Sequence, residues 1–195
     1  MKAEENGIVL DFLAHGKSSG YKAEPLAQVL GLDNFTLLEV IPKEGFALKI
    51  GETVYIGKEG REKIDYIKRR VPFKELTSTA VSELENMVEK IVLQKEQQFV
   101  DFFNNSKSIT LKRHQLELLP GLGKKHMLAI INEREKAPFA SFEDIKKRVH
   151  LLPDVVKTIV KRVIEELSEE SDKHYLFARP PVEPKSQFDR RDFRR

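Results

Sequence analysis

The chain has 195 residues, a formal net charge of +3 from 34 Lys and Arg against 31 Asp and Glu, 40% hydrophobic residues, and neither Cys nor Trp. This length accommodates one or two domains with cores of their own, and the charge balance excludes a histone-like polycation and an acidic disordered chain. Without Cys there are no disulfides, thiolate metal sites, Cys nucleophile or iron–sulfur ligands; no apolar run reaches the roughly 18 residues of a membrane span, and Met1-Lys2-Ala3-Glu4-Glu5 is too acidic for a secretory leader, so a soluble, cytoplasmic protein is expected.

The small total hides blocks of opposite sign. Residues 57–74 carry 7 basic and 3 acidic side chains, net +4; residues 75–106 carry 2 and 6, net −4; residues 107–163 carry 13 and 6, net +7. Such blocks act over about a Debye length, roughly 8–10 Å at physiological salt, so they matter more than the sum.

Residues 1–75 read as β. Short runs at Ile8–Leu13, Ala27–Leu32, Phe35–Ile41, Glu52–Gly57 and Lys63–Val71 are separated by turn residues, among them Asp33-Asn34 and Pro42–Gly45. Five short strands punctuated in this way predict a small closed barrel. Val81, Leu84, Val88, Ile91, Val92, Phe99, Phe102 and Phe103 then recur at helical spacing, with Thr77, Ser78 and Thr79 as cap candidates, which predicts one amphipathic helix joining two domains over 76–106. Residues 107–168 read as four short helices: Leu111–Leu119, Lys124–Arg134, one from Ser141 to about Val149, and one with Pro153 in its first turn running to about Leu167. Residues 169–195 read as an acidic linker and a flexible basic arm, with Pro180, Pro181 and Pro184 ahead of an Arg-rich end.

Leu119-Pro120-Gly121-Leu122-Gly123-Lys124-Lys125 is the most informative stretch. Two glycines bring backbone close to a ligand, the next helix offers unpaired N–H groups and a positive dipole end, and two lysines add full charges. The chemistry implied is sequence-independent gripping of a phosphate backbone, with Leu122 pinning the loop to the helices. A plain turn with a Gly cap is the simpler alternative. The stretch resembles the helix-hairpin-helix motif over residues 111–134. Val149-His150-Leu151-Leu152-Pro153-Asp154 aligns with 119–124 as a second copy, but both glycines are absent and Asp154 replaces a Lys, so this copy is read as mainly structural. Candidate contacts in and around the first copy are Lys112, Arg113, Gly121, Leu122, Gly123, Lys124, Lys125 and His126. A secondary set is Arg61, Lys68, Arg69, Arg70, Lys146, Lys147, Arg148 and Lys157.

No catalytic constellation emerges. Asp144 falls near the spacing of a glycosylase acid downstream of such a hairpin, but a capping role with Ser141 explains it. The five His show no metal-ligand spacing, and Gly57-Lys58-Glu59-Gly60-Arg61 is too short for a phosphate-binding P-loop, so neither metal nor cofactor is expected. His114 and His126 flank the hairpin and are assigned to phosphate or surface contacts. Tyr55 and Tyr66 fit either a barrel core or base-stacking platforms.

An OB-like barrel, a long helix, the Leu-Pro-Gly-Leu-Gly-Lys hairpin within a tandem pair and a basic tail together resemble the archaeal domain-of-unknown-function 655 family across nearly the whole chain. The resemblance implies a non-catalytic protein that binds nucleic acid. RNA is favoured over DNA, because genes of that family often lie beside those for ribosomal proteins and RNA polymerase subunits. A protein-interaction adaptor, with a partner on the 77–103 helix, is the alternative, and a glycosylase or nuclease the remote one.

Overall fold

The computed structural model describes residues 3–16, 24–168 and 174–178. The expectations for the basic arm beyond residue 178 fall outside them. Five strands, β1 (Asn6–Leu13), β2 (Leu26–Gly31), β3 (Leu37–Pro42), β4 (Thr53–Tyr55) and β5 (Ile64–Arg70), form an antiparallel sheet in the order β4-β1-β2-β3-β5. The alternation read from sequence produces these strands, but the barrel does not close. β4 and β5 are edge strands with no pairing between them, so the sheet is a half-barrel.

Both faces of the sheet are covered, and β2 and β3 are buried along their whole length. Val9, Val29, Leu38, Val40, Val54 and Ile56 form one apolar cluster within the curl. Ile8, Leu10, Leu30 and Leu37 point the other way, as a period of two requires, into a larger core shared with the helices. Glu4 shapes the β2–β3 turn from outside it. Its buried carboxylate accepts the N–H groups of Asp33, Asn34 and Thr36 at 2.8–3.3 Å, so the connection is wider than a two-residue hairpin.

The expected single helix is two: α1 (Ser78–Gln94) and α2 (Glu96–Asn105). Thr77 caps α1, and its hydroxyl also donates to Asp11 of β1 at 2.6 Å. The break falls at Lys95, where Nζ reaches the Leu32 carbonyl at 2.8 Å and Asp33 at 2.6 Å. α1 packs on β1 through one part of its surface and on the last helix described through another.

Leu111–Leu119 is not an α-helix. Ser108–Thr110 (β6) and Arg113–His114 (β7) form a small hairpin, followed by a 3₁₀ turn at Gln115–Leu118. The reason is local. His114 Nδ1 accepts the Leu116 N–H at 3.1 Å while Glu117 accepts the His114 N–H at 2.8 Å, a capping box that starts the turn late. His114 is therefore a buried structural group and not a phosphate or surface contact.

Three helices follow: α3 (Lys124–Lys136), α4 (Phe142–Arg148) and α5 (Val155–Leu167). Ser141 caps α4 as expected. Asp154 caps α5, which leaves Pro153 just outside the helix rather than in its first turn. Within the expected acidic linker, residues 174–178 pack onto the core. Glu166 accepts the N–H groups of Leu176, Phe177 and Ala178 at 2.7–3.0 Å, and the Phe177 ring sits against Phe99 and Phe102. Among the described residues no helix is long and apolar enough to cross a membrane.

Candidate nucleic-acid interface

The 119–123 loop is held from below and open above. Leu119 and Leu122 are buried, and the Leu122 N–H closes on the Leu119 carbonyl at 3.0 Å. Gly121 has φ +82°, a left-handed conformation in which a side chain is strained. Gly123 differs. Its backbone is extended (φ −93°), and a Cβ placed there would meet nothing within 4 Å. No described residue therefore requires glycine at 123.

Gly123 is also the N-cap of α3, and among the described residues no side chain accepts from that helix's first turn. The first intrahelical bond is Met127 N–H to the Gly123 carbonyl, so the N–H groups of Lys124, Lys125 and His126 precede the ladder. By contrast, α1, α4 and α5 are capped by Thr77, Ser141 and Asp154. Lys124 and Lys125 are exposed and make no ion pair among the described residues. His126 is half-buried, and its buried Nδ1 has no partner. Glu117 and Glu165 border one side of the loop, a side that neither Lys124 nor Lys125 lines.

The 149–154 loop repeats this backbone with different chemistry. Leu151, aligned with Gly121, is also left-handed at φ +61°, and it is exposed. The two loops meet where Pro153 Cγ lies 3.5 Å from the position of a Cβ on Gly121. At this second loop Asp154 occupies the helix N-terminus, its side chain accepting the Lys157 N–H at 2.9 Å.

A family model described as a protein of unknown function, DUF655, matches residues 3–179. The chain belongs to the DUF655 family. The uncharacterized protein MJ0038 of Methanocaldococcus jannaschii is 44% identical over 179 residues, which cover 91% of this chain and 81% of that protein. The crystal structure of Af1531 from Archaeoglobus fulgidus, at 47% identity, matches with a TM-score of 0.83 over 90% of this chain and all of that one.

The remaining candidate cations of this DUF655 protein fall into two groups. Lys112, at the β6–β7 turn, and Lys146, Lys147 and Lys157 are exposed without ion pairs among the described residues. Arg113 is exposed and has a partner. Arg148 is committed to the fold: it pairs with Asp144 at 3.1 Å, donates to the Ala137 carbonyl at 2.8 Å and lies over the Phe139 ring. Asp144 accepts the Ala140 N–H at 3.1 Å, and that bond, followed by Arg148, holds its carboxyl below the usual range. It therefore acts as an N-terminal brace of α4.

On the half-barrel, Arg69 bridges Glu39 and Glu75, Lys68 pairs with Glu24 at 3.4 Å, and Arg70 is also engaged. Arg61 Nη1 donates to the Asp65 carbonyl at 3.0 Å, and its Nε to that of Gly57. Tyr55 and Tyr66 are about 40% exposed, so neither ring belongs to the barrel core. Arg162 and Glu166, a buried pair at 2.7 Å on α5, were not among the expected functional residues. Their signal is the spacing Thr158, Arg162, Glu166, polar residues four apart on an otherwise apolar face.

Proposed function

We propose that the protein binds nucleic acid without catalysis and grips a phosphate backbone at the 119–125 loop, read as the first hairpin of a tandem helix-hairpin-helix unit beside an OB-like half-barrel. One observation carries the reading. The start of α3 lacks a side-chain cap, opens on Gly123 where no described residue requires a glycine, and carries two lysines that make no ion pair among the described residues. A phosphate oxygen at that point accepts the free N–H groups, is favoured by the helix dipole and faces Lys124 and Lys125. Contacts of this kind carry no base information, so binding is independent of sequence. RNA is preferred over DNA in this reading, on the family resemblance.

The test is fluorescence anisotropy with labelled RNA and DNA across a salt series, on the wild type and a Gly123→Asp variant. Aspartate is a good N-cap, so the variant folds with an unchanged or higher thermal midpoint. It also fills the open space with a carboxylate and lowers affinity at least tenfold. Affinity equal to the wild type, or a wild type whose affinity is insensitive to salt, rejects the reading. A Gly121→Ala/Lys124→Glu double variant, checked for folding by circular dichroism, gives the same readout from the loop's other side.

A further inference from the structure

The unpaired edges of the half-barrel leave a seam. Between β4 and β5 lies a cleft of about 670 Å³, lined in part by Thr36, Leu38, Tyr55, Lys58, Arg61 and Ile67. That volume is within the range of about 300–1,000 Å³ typical of small-molecule sites.

Three features of its lining point to a ligand. Thr36 is 6% exposed and gives its N–H to Glu4, yet its hydroxyl is buried with no hydrogen-bond partner. An unpaired hydroxyl is destabilising where valine fills the same space, so this one is poised for a bond the protein does not supply. Arg61 is fixed by two backbone carbonyls, which orient its guanidinium without neutralising it, and Nη2 makes no hydrogen bond among the described residues. Lys58 beside it is exposed and forms no ion pair among the described residues. Tyr55 lies across Gly57, where a Cβ would come within 2.2 Å of its Oη, so glycine allows this placement of the ring.

A fixed cation, a second mobile one, an aromatic ring, an apolar lining and an orphan hydroxyl match the parts of a nucleotide. Glu5 and Glu59 also line the cleft, so a bare phosphate gains little, and the ring and apolar contacts are needed as well. We propose that the seam between β4 and β5 is a nucleotide site, with the phosphate on Arg61 and Lys58, the base against Tyr55 and a polar group of sugar or base on the Thr36 hydroxyl. The nucleotide is either free or the end of a strand. The site does not depend on the 119–125 loop.

Amide chemical shifts of the full-length protein, titrated with adenosine or uridine monophosphate, inorganic phosphate, and short single strands with and without a terminal phosphate, test it. Saturable one-to-one binding of a mononucleotide or a phosphorylated strand end, with shifts at Thr36, Tyr55 and Gly57, is expected, and inorganic phosphate alone binds more than tenfold more weakly. Mononucleotides binding as tightly as strands identify a free ligand; movement of the seam only with phosphorylated strands identifies a strand end. Thr36→Val keeps or raises the thermal midpoint and weakens binding about fivefold to tenfold, the cost of one lost hydrogen bond. Lys58→Glu weakens it about tenfold, and Gly123→Asp leaves it unchanged, which separates this site from the loop. Seam amides that do not respond to any nucleotide, affinity unchanged in both Thr36→Val and Lys58→Glu, or a seam that responds only to a protein strand added along its edges overturns the proposal.

Discussion

Gly121 and Leu151 occupy equivalent left-handed positions in two aligned loops, and substitutions there have opposite expected signs. Gly121→Ala forces a side chain into that conformation and costs about 1–2 kcal/mol, while Pro153, 3.5 Å from the new Cβ, adds only an ordinary contact. Leu151→Gly relieves the same strain at an exposed site; after the entropic cost of glycine the gain is up to about 1 kcal/mol. Urea denaturation of both variants checks the pair, and a destabilised Leu151→Gly would mean that the leucine holds a contact worth more than its strain. The sequence alignment places both residues correctly, but only backbone angles reveal that leucine keeps the glycine conformation. His114 supplies a pH dependence. Burial first, and Arg134 second, lower its pKa from the usual value near 6.5. Its contribution is complete above that value and is lost as pH falls from there through the lower folded pKa, because the protonated ring cannot accept the Leu116 N–H. Thermal midpoints measured over that window decline in the wild type. A His114→Asn variant, which retains an acceptor, has a flatter profile.

Secondary structure was legible where local chemistry decides it and not where a distant group does. Alternation and turn residues locate all five strands, yet whether β4 and β5 pair depends on sheet curvature, for which neither strand carries a local signal. Val92 and Phe99 are seven apart, which suits an unbroken helix; the break at Lys95 comes from a side chain reaching back to the β2–β3 turn. The β6–β7 hairpin was hidden because Leu111, Leu118 and Leu119 stand seven and eight residues apart, as on one helical face, although Leu111 is fully exposed at the turn. The docking of 174–178 was equally invisible, since Glu166 supplies it from ten residues upstream. That anchor makes a sharp test. Glu166→Ala leaves Arg162 charged and buried and removes the acceptor of three N–H groups, so it costs about 3–5 kcal/mol, more than a surface ion pair would. Hydrogen exchange should lose protection first at Leu176, Phe177 and Ala178. A double variant Arg162→Met/Glu166→Leu is less destabilised than the sum of its single changes, because neither charge is left stranded. Additivity in that cycle would show that the two side chains act separately.

For the whole molecule, the question is how much of the +7 carried by residues 107–163 is available to a polyanion. Arg134 donates to Phe103 and Ser106, Arg148 braces α4, Arg162 lies buried on Glu166, and Lys136 pairs with Glu133. What remains at the candidate surface is chiefly lysine, with Lys124 and Lys125 at the loop and Lys112, Lys146, Lys147 and Lys157 around it. A footprint of three to five phosphates on a single strand gives a slope of about −2 to −3.5 in log affinity against log salt, at roughly 0.7 per phosphate. Indiscriminate use of all thirteen cations would give a slope near −9 on the same basis. A Lys124→Gln/Lys125→Gln variant should lower the magnitude of the slope by about 1.4 and weaken binding uniformly across sequences. Arg148→Gln should instead reduce stability, because its charge serves the fold, and leave the slope of the folded fraction unchanged. An unaltered slope in the lysine pair, or one reduced by Arg148→Gln, would place the phosphate surface elsewhere on the molecule.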